Sequence, residues 1–530
     1  MHSSSLQGLG LDKQLGLLDS EMPKGGPVAG IWTKTRHRAA ASRSEGTKAA
    51  STLFRGGTVI GFDNKTQTPQ PLYNTSILVT GDTITAIFNE SDKDSVEIPL
   101  DTEIVPAADL IISPGFIDTH RHTWQTTYRT IASNITLSEY FVRYSPLSRV
   151  PDLFTPEDFY LSQVVGLWEA LNAGVTSLLD HSHNINTRQV AEAALAAYSD
   201  SGARVWFGYS FDPTGNFTIP ERAAHVLELA TDQRLSTGLV QMGMAFDAWT
   251  GVDKSDLEAV LGLLKDGNLS VLTTHWLDGQ WNIRHSPSLF HGLGILNQSL
   301  PIVFSHGTFI TPAEYELLKE YNHYVSITPE SEMHFGHTNQ ESDLIMDQAA
   351  LGVDTHATYS GDIITQARMW LQSVRLRSFR KTLNEWKIPR YSPMSVNQAF
   401  HLATRAGAQA LRRPDLGVLK VGAKGDIVTF DGKSANMVGW RDPVAAIILH
   451  SNVGDVKDVM VGGSFVKRNG RLVAEQLSDV MTRFQESATR IQEEAVKIPY
   501  DMKGGFVFNP AVPFAVVEPV DAVRDDGTGY

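Results

Sequence analysis

Polar and apolar residues alternate with the period of two that marks β-strands from about residue 52 onward. Segments 76–80 and 83–87 flank Gly81-Asp82 and predict a hairpin. The same texture returns near the other end: a strand over 425–430, a pair over 459–461 and 464–466 around Gly462-Gly463, and a tight turn at Asn469-Gly470. Two β-rich segments so far apart predict one composite β-sandwich domain assembled from both chain ends. Between them, short apolar runs alternate with helical stretches, as βα units require. Candidate strands end near His122, Asp180, Ser210, Phe246, His275, His306, Thr328 and Asp354. Eight strands, at roughly one βα unit per thirty residues after a longer first loop, predict a (β/α)8 barrel of the TIM type.

The first helix of that series is well marked. Thr155-Pro-Glu-Asp158 reads as a capping sequence, followed by an amphipathic helix over 159–171 and a stop at Gly174. A doubly wound open sheet is the alternative, but no Gly-x-Gly-x-x-Gly follows an early strand. The expected division is a disordered N-terminal extension over 1–51, the composite β-domain over 52–113 and 409–478, and the barrel over 114–408. A C-terminal helix over 479–495 and a Pro/Gly-rich tail to 530 would wrap the barrel or a partner subunit.

Composition narrows the chemistry. The 530 residues carry a formal net charge of −14, which argues against a polymeric nucleic-acid partner but not against a small nucleobase-like substrate. No apolar run has the length of a membrane span and no secretory core opens the chain, so a cytoplasmic enzyme is expected. The chain has no cysteine, so any metal site must use His, Asp, Glu and water. Deaminases that hold zinc through cysteine are thereby excluded.

The sequence Ser113-Pro-Gly-Phe-Ile-Asp-Thr-His-Arg-His122 ends in two histidines one residue apart. On an extended chain their side chains leave the same face, roughly 7 Å apart, and can converge on one metal. His120, His122, His275, His306 and Asp354 all fall at the C-terminal ends of proposed strands, where barrel enzymes keep their active sites. Three neutral imidazoles and one carboxylate can hold a divalent ion and leave a position for water, whose pKa then drops towards about 7.

The ordered set of motifs resembles the amidohydrolase superfamily, in its mononuclear branch of cytosine, guanine and S-adenosylhomocysteine deaminases and triazine hydrolases. The set comprises Pro114-Gly-Phe-Ile-Asp-Thr-His-Arg-His122, Glu169 with Gly174-Val-Thr176 and Asp180, His275-x-x-Asp278, Ser305-His306-Gly307, Thr328-Pro-Glu-Ser-Glu332 and Gly352-Val-Asp354. It closes with Leu402-Ala-Thr-Arg-Ala-Gly-Ala408 and Gly422-Ala-Lys-Gly-Asp-Ile427. The resemblance implies His120, His122, His275 and Asp354 as ligands of one divalent ion, zinc first and iron as the alternative. It implies that His306 orients water or polarises substrate, that Asp354 accepts the water's proton, and that Asp278 shuttles a proton. Residues 239–249 hold no lysine, which favours a mononuclear site over the carboxylated-lysine binuclear one. A homodimer is the assembly such resemblance suggests.

Two positions depart from the deaminase pattern. Asp278 stands where Glu is usual and Glu332 where Asn is frequent. Asp278 reads equally well as a helix cap, whereas for His306 a catalytic role is favoured over that of a core histidine. Glu332, Gln125, Arg129, Trp124 and Trp276 are candidate substrate contacts, while His181 and His183 read as polar loop histidines. The expected function is hydrolysis of a carbon–nitrogen bond in a small, nitrogen-containing cyclic substrate, in the manner of a deaminase. Amide or ring-opening hydrolysis by the same chemistry is the alternative, and a non-catalytic scaffold a third.

Overall fold

The computed structural model describes residues 51–63, 65–212, 216–339, 341–500 and 516–521. The expectation for 1–51 lies outside the described residues except at Ser51, which opens a strand, and most of the tail after Tyr500 lies outside them too. No helix among the described residues is long and apolar enough to cross a membrane.

Strands β1 (Ser51–Phe62), β2 (Pro69–Thr80), β3 (Thr83–Asn89), β4 (Glu103–Pro106) and β5 (Leu110–Pro114) come from the front of the chain. Eight strands follow: β6 (Phe116–Arg121), β7 (Val175–Ser182), β8 (Arg204–Ser210), β9 (Val240–Ala245), β10 (Leu272–Leu277), β11 (Ile302–Thr308), β12 (Tyr324–Ile327) and β13 (Ala349–Leu351). The chain then returns to β14 (Ile427–Asp431), β15 (Val456–Val461), β16 (Ser464–Arg468) and β17 (Arg471–Leu472).

β6 to β13 form one parallel sheet in chain order, and their ends agree with the expected strand ends to within three residues. Almost every residue in them is buried, as a parallel sheet covered on both faces demands. The sheet nearly closes on itself. The seam is a bridge between Arg121 and Asp354, with His122 N–H donating to the Asp354 carbonyl and Asp354 N–H to the His120 carbonyl, both at 2.8 Å. Closure therefore brings the first and last metal-binding candidates onto adjacent backbone.

The composite β-sandwich is one continuous sheet folded over its own core. Its order is β17-β16-β15-β14-β5-β1-β2-β3, with β4 on β1, and the antiparallel β5–β14 pairing joins the chain ends. Phe54 of β1 and Phe465 of β16 lie four strands apart along it, about 19 Å in a flat sheet. Their rings are 6.0 Å apart, so the sheet curls and buries Val59, Ile77, Ile112, Ile427 and Met460 between its halves. Buried Arg204 on β8 grips Asp426 beside β14 with two hydrogen bonds of 2.9 and 3.0 Å, tying sheet to barrel.

Two helices brace the first barrel loop. Helix α1 (Pro156–Asn172) starts at the Thr155/Asp158 capping box with Pro at its first position, and Gly174 follows at φ +89°. A Cβ on Gly174 would stand 3.1 Å from Val428 and 3.2 Å from Phe116, so the stop is also a close approach. α1 is buried on more of its surface than one amphipathic face requires, because α2 (Leu477–Ala495) lies against it. Ser487 and Arg490 each donate to Asp158 at 2.5 Å, and Ile491 is fully buried. Gln492 Nε2 donates to the carbonyls of Thr127 (2.7 Å) and Arg129 (3.2 Å), pinning the loop that follows β6. Ile491→Ala is expected to cost about 2–4 kcal/mol. Denaturant unfolding measures this, and an unchanged midpoint would show that α2 contributes nothing to the fold.

Candidate metal and active site

Alternation along β6 sends His120 and His122 to the inside and Arg121 outwards, where it binds Asp118 (2.6 Å) and the Gly361 carbonyl (2.6 Å). His122 Nε2 lies 3.0 Å from Asp354 Oδ1 and 3.2 Å from His275 Nε2, and His120 Nε2 lies 3.2 Å from the same Asp354 oxygen. Ligands bonded at about 2.0–2.1 Å around a tetrahedral ion stand about 3.3–3.4 Å apart, so these spacings fit one ion. The nitrogens are also in the right state. His122 Nδ1 faces the His181 carbonyl at 2.8 Å, and a carbonyl only accepts, so the proton sits on Nδ1 and leaves Nε2 as a lone pair. His275 Nδ1 likewise donates to the Asp247 carboxylate at 2.6 Å. His120 Nδ1 meets Ser305 Oγ at 2.8 Å, while its buried Nε2 has no hydrogen bond of acceptable geometry.

Electrostatics agree with the geometry. Burial, with the charges of His122 and His275, holds His120 well below the usual imidazole range. Burial opposes ionisation of Asp354, but the adjoining His120, His122 and His306 outweigh it and hold its carboxyl well below normal. Burial also lowers His275, and the neighbouring Asp247 charge more than offsets this, raising it. A neutral His120 beside an ionised Asp354 begins a donor set for a divalent transition metal, and binding one requires His275 to give up any second proton.

The backbone is strained at two of these positions. His306 has φ +77° and Asp354 φ +68°, in the left-handed region that L side chains rarely adopt. β11 carries Gly307 as an extra residue against β10, a bulge that re-aims His306. Thr328 Oγ1 contacts His306 Nδ1 at 2.9 Å, and Asn339 donates to the His306 carbonyl. Ser331 donates to Asp354 Oδ2.

Several functional neighbours were not evident from sequence. Asp247, just past β9, accepts from the His275 backbone N–H (2.7 Å), His275 Nδ1 and Thr274 Oγ1 (3.0 Å). His181 Nε2 stands 3.3 Å from its second oxygen, and the atoms of His181, Asp247 and His275 converge. Burial and the His275 charge lower His181 to about 4. His183 stacks on His122 with centroids 4.0 Å apart and receives Trp124 Nε1–H at 3.0 Å. His181 and His183 are thus buried against the site rather than on a solvated loop. The signal for Asp247 was a carboxylate directly after a strand end.

A cavity of about 420 Å³ opens over these groups, lined by His122, His275, His306, Asp354 and Gln125 among others. The remaining candidates lie outside its lining. Trp124 and Trp276 are wholly buried, and Trp276 Nε1 donates to the Asp278 carboxylate at 2.9 Å. Arg129 pairs with Glu169 at 2.7 Å. Glu332 sits behind His306, 3.9 Å from Nδ1, and burial pushes it up to about 8.

Residues 111–466 match the amidohydrolase family. The chain is 24% identical over 458 residues to a 5-methylthioadenosine/S-adenosylhomocysteine deaminase of Pyrococcus abyssi, covering 82% of this chain and 98% of that protein. It is 21% identical over 434 residues to a 5'-deoxyadenosine deaminase of Methanobrevibacter smithii, covering 79% and 94%. Among solved structures, a zinc-bound adenosine deaminase from Xanthomonas campestris superposes with a TM-score of 0.72 at 19% identity, over 83% of this chain and 98% of that one. A zinc-bound atrazine chlorohydrolase from Arthrobacter aurescens superposes at 0.67 and 20% identity, over 82% and 100%. The chain belongs to the amidohydrolase family, hydrolases of carbon–nitrogen bonds other than ordinary peptide bonds.

Proposed function

We propose that the chain is an aminohydrolase using one divalent ion, zinc by preference, held by His120, His122, His275 and Asp354, and acting on a small nitrogen heterocycle. The observation that carries this reading is the convergence of the His120 and His122 Nε2 atoms on Asp354 Oδ1, at 3.2 and 3.0 Å, with His275 Nε2 3.2 Å from that of His122. A divalent ion there supplies Lewis acidity and lowers the pKa of a water to about 7. Asp354, held ionised, accepts a proton from the attacking water. His306, with Nδ1 engaged by Thr328, leaves Nε2 to orient that water or the substrate. A carbon–oxygen bond forms, the carbon–nitrogen bond breaks, and the proton departs with nitrogen as ammonia.

A second reading, hydrolysis of a cyclic amide, is favoured by one feature. The Asp278 carboxylate is engaged by Trp276 outside the cavity lining, and carbonyl substrates need no ring-nitrogen protonation from that position. A product carrying a new carboxylate, seen by mass spectrometry without ammonia release, separates the two.

Elemental analysis of the purified chain is expected to find one divalent ion per chain, removed by chelation together with turnover in an ammonia-release screen of aminated heterocycles. His120→Ala is expected to lose the ion, and full turnover by metal-free protein would sink the proposal. Asp247→Asn removes the carboxylate that sets the His275 tautomer. Metal affinity is expected to fall about 10–100-fold with circular dichroism unchanged. An affinity equal to the parent's would remove Asp247 from the site's support.

A further inference from the structure

We infer that the cavity is built for an uncharged heterocycle bearing apolar substituents and rejects analogues carrying a carboxylate or phosphate. The inference rests on the metal-dependent reading of the same site. Charge comes first: among the described residues, those that line the cavity include Asp212, Asp247 and Asp354 but no lysine or arginine. Nearby arginines are committed elsewhere. Arg129 pairs with Glu169, Arg121 with Asp118, and Arg143 lies over the rings of Tyr144 and Tyr500. Arg284, between the lining residues Ile283 and His285, is not itself part of the lining and is exposed.

The wall is apolar and fixed. Helix α3 (Leu137–Arg143), between β6 and α1 in the chain, contributes Leu137, Tyr140 and Phe141, joined by Leu147, Leu277 and Phe335. Leu137 N–H donates to the Phe335 carbonyl at 3.0 Å, and the Tyr140 and Phe335 rings lie 5.9 Å apart. An anionic tail against this wall would lose its hydration with no cation in return, a large penalty in a water-poor pocket.

Among the described residues, two buried polar atoms of the lining have no hydrogen bond, Gln125 Oε1 and His337 Nδ1. Gln125 Nε2 donates to Tyr140 Oη at 2.6 Å, which leaves Oε1, on a residue 1% exposed, as an acceptor only. A buried acceptor in the wall suits a substrate N–H. The ligand class is therefore a neutral ring with an N–H edge for Gln125 and hydrocarbon for the α3 wall.

The test uses 5′-methylthioadenosine and S-adenosylhomocysteine, which share purine and ribose and differ in a methyl against a zwitterionic amino-acid tail. Dissociation constants are measured calorimetrically on the zinc-loaded full chain, with ammonia release alongside. The neutral probe is expected to bind at least about 100-fold tighter. Leu147→Arg, at a mouth position 68% exposed, is expected to narrow that ratio about fivefold by giving the carboxylate a partner. Gln125→Ala is expected to weaken the neutral probe about tenfold. Equal or tighter binding of S-adenosylhomocysteine, or no binding of the neutral probe, overturns the inference. Preferential neutral binding with no ammonia from either probe removes the hydrolytic reading and leaves the ligand class standing. Ammonia released from both at equal kcat/KM does the reverse.

Discussion

The site depends on where four imidazole protons are kept. A histidine offers a lone pair to the barrel centre only when its other nitrogen holds the proton, and each ring here has an outer partner on Nδ1. These partners are the His181 carbonyl for His122, Asp247 for His275, Ser305 for His120 and Thr328 for His306. Two of them, a carbonyl and a carboxylate, can only accept, so they dictate the tautomer of their rings outright. The inward-facing nitrogens of His120 and His122 then crowd one carboxylate oxygen, and that of His275 crowds His122, at distances where lone pairs repel. That arrangement is stable when a cation lies between them, and the surrounding fold has to hold it otherwise.

The fold holds it with short connections. Asp354 is both the carboxylate and the residue that bridges to Arg121 at the barrel seam, so its left-handed backbone cannot relax without opening the barrel. His306 is held in the same region by a bulge, by Thr328 on its ring and by Asn339 on its carbonyl. Strain of this kind persists only where the surroundings over-determine the conformation. Further out, the Arg204–Asp426 pair locks the barrel to a sheet that needs both chain ends, and α2 pins the carbonyls of Thr127 and Arg129.

The eight barrel strands were legible because burial on both faces writes them as short, near-continuous apolar runs, all but the one near Phe246 ending in a polar residue. His120-x-His122 was legible because its spacing has a geometric meaning on a strand. Asp247 was harder to see: its role lies in a contact with His275, 28 residues away, and no local pattern encodes that distance. His181 lies near the end of β7 and His183 just past it, where the sequence reads as a loop, yet packing on His122 and His275 buries them. For Trp124 and Trp276, proximity to the ligands in sequence said nothing about direction. Trp276 neighbours His275 on β10, so alternation turns its indole away from the centre, and Trp124 sits in a 3-10 turn past β6; both indoles enter the surrounding packing, where their N–H groups find Asp278 and His183. The β-sandwich was legible as composition, but its closure as one curled sheet depends on the β5–β14 register, which pairs residues more than three hundred positions apart.

The floor and the wall of the cavity come from different parts of the fold, and this separates reactivity from selection. The floor sits on strand ends whose backbones are interlocked by the barrel's hydrogen bonds. Much of the wall is the short helix α3, capped by its own Thr136/Glu139 box and docked on Phe335 through one backbone hydrogen bond and ring packing. Residues on such a helix can change size or polarity without moving an inward-facing nitrogen, whereas a change at Asp247 or Ser305 acts on the rings of His275 and His120 directly. Gln125 joins the two layers: it follows His122 by three residues and holds Tyr140 of the wall. A substrate that satisfies its free oxygen is thereby registered against wall and floor together, which is the positional control that attack on one ring carbon requires.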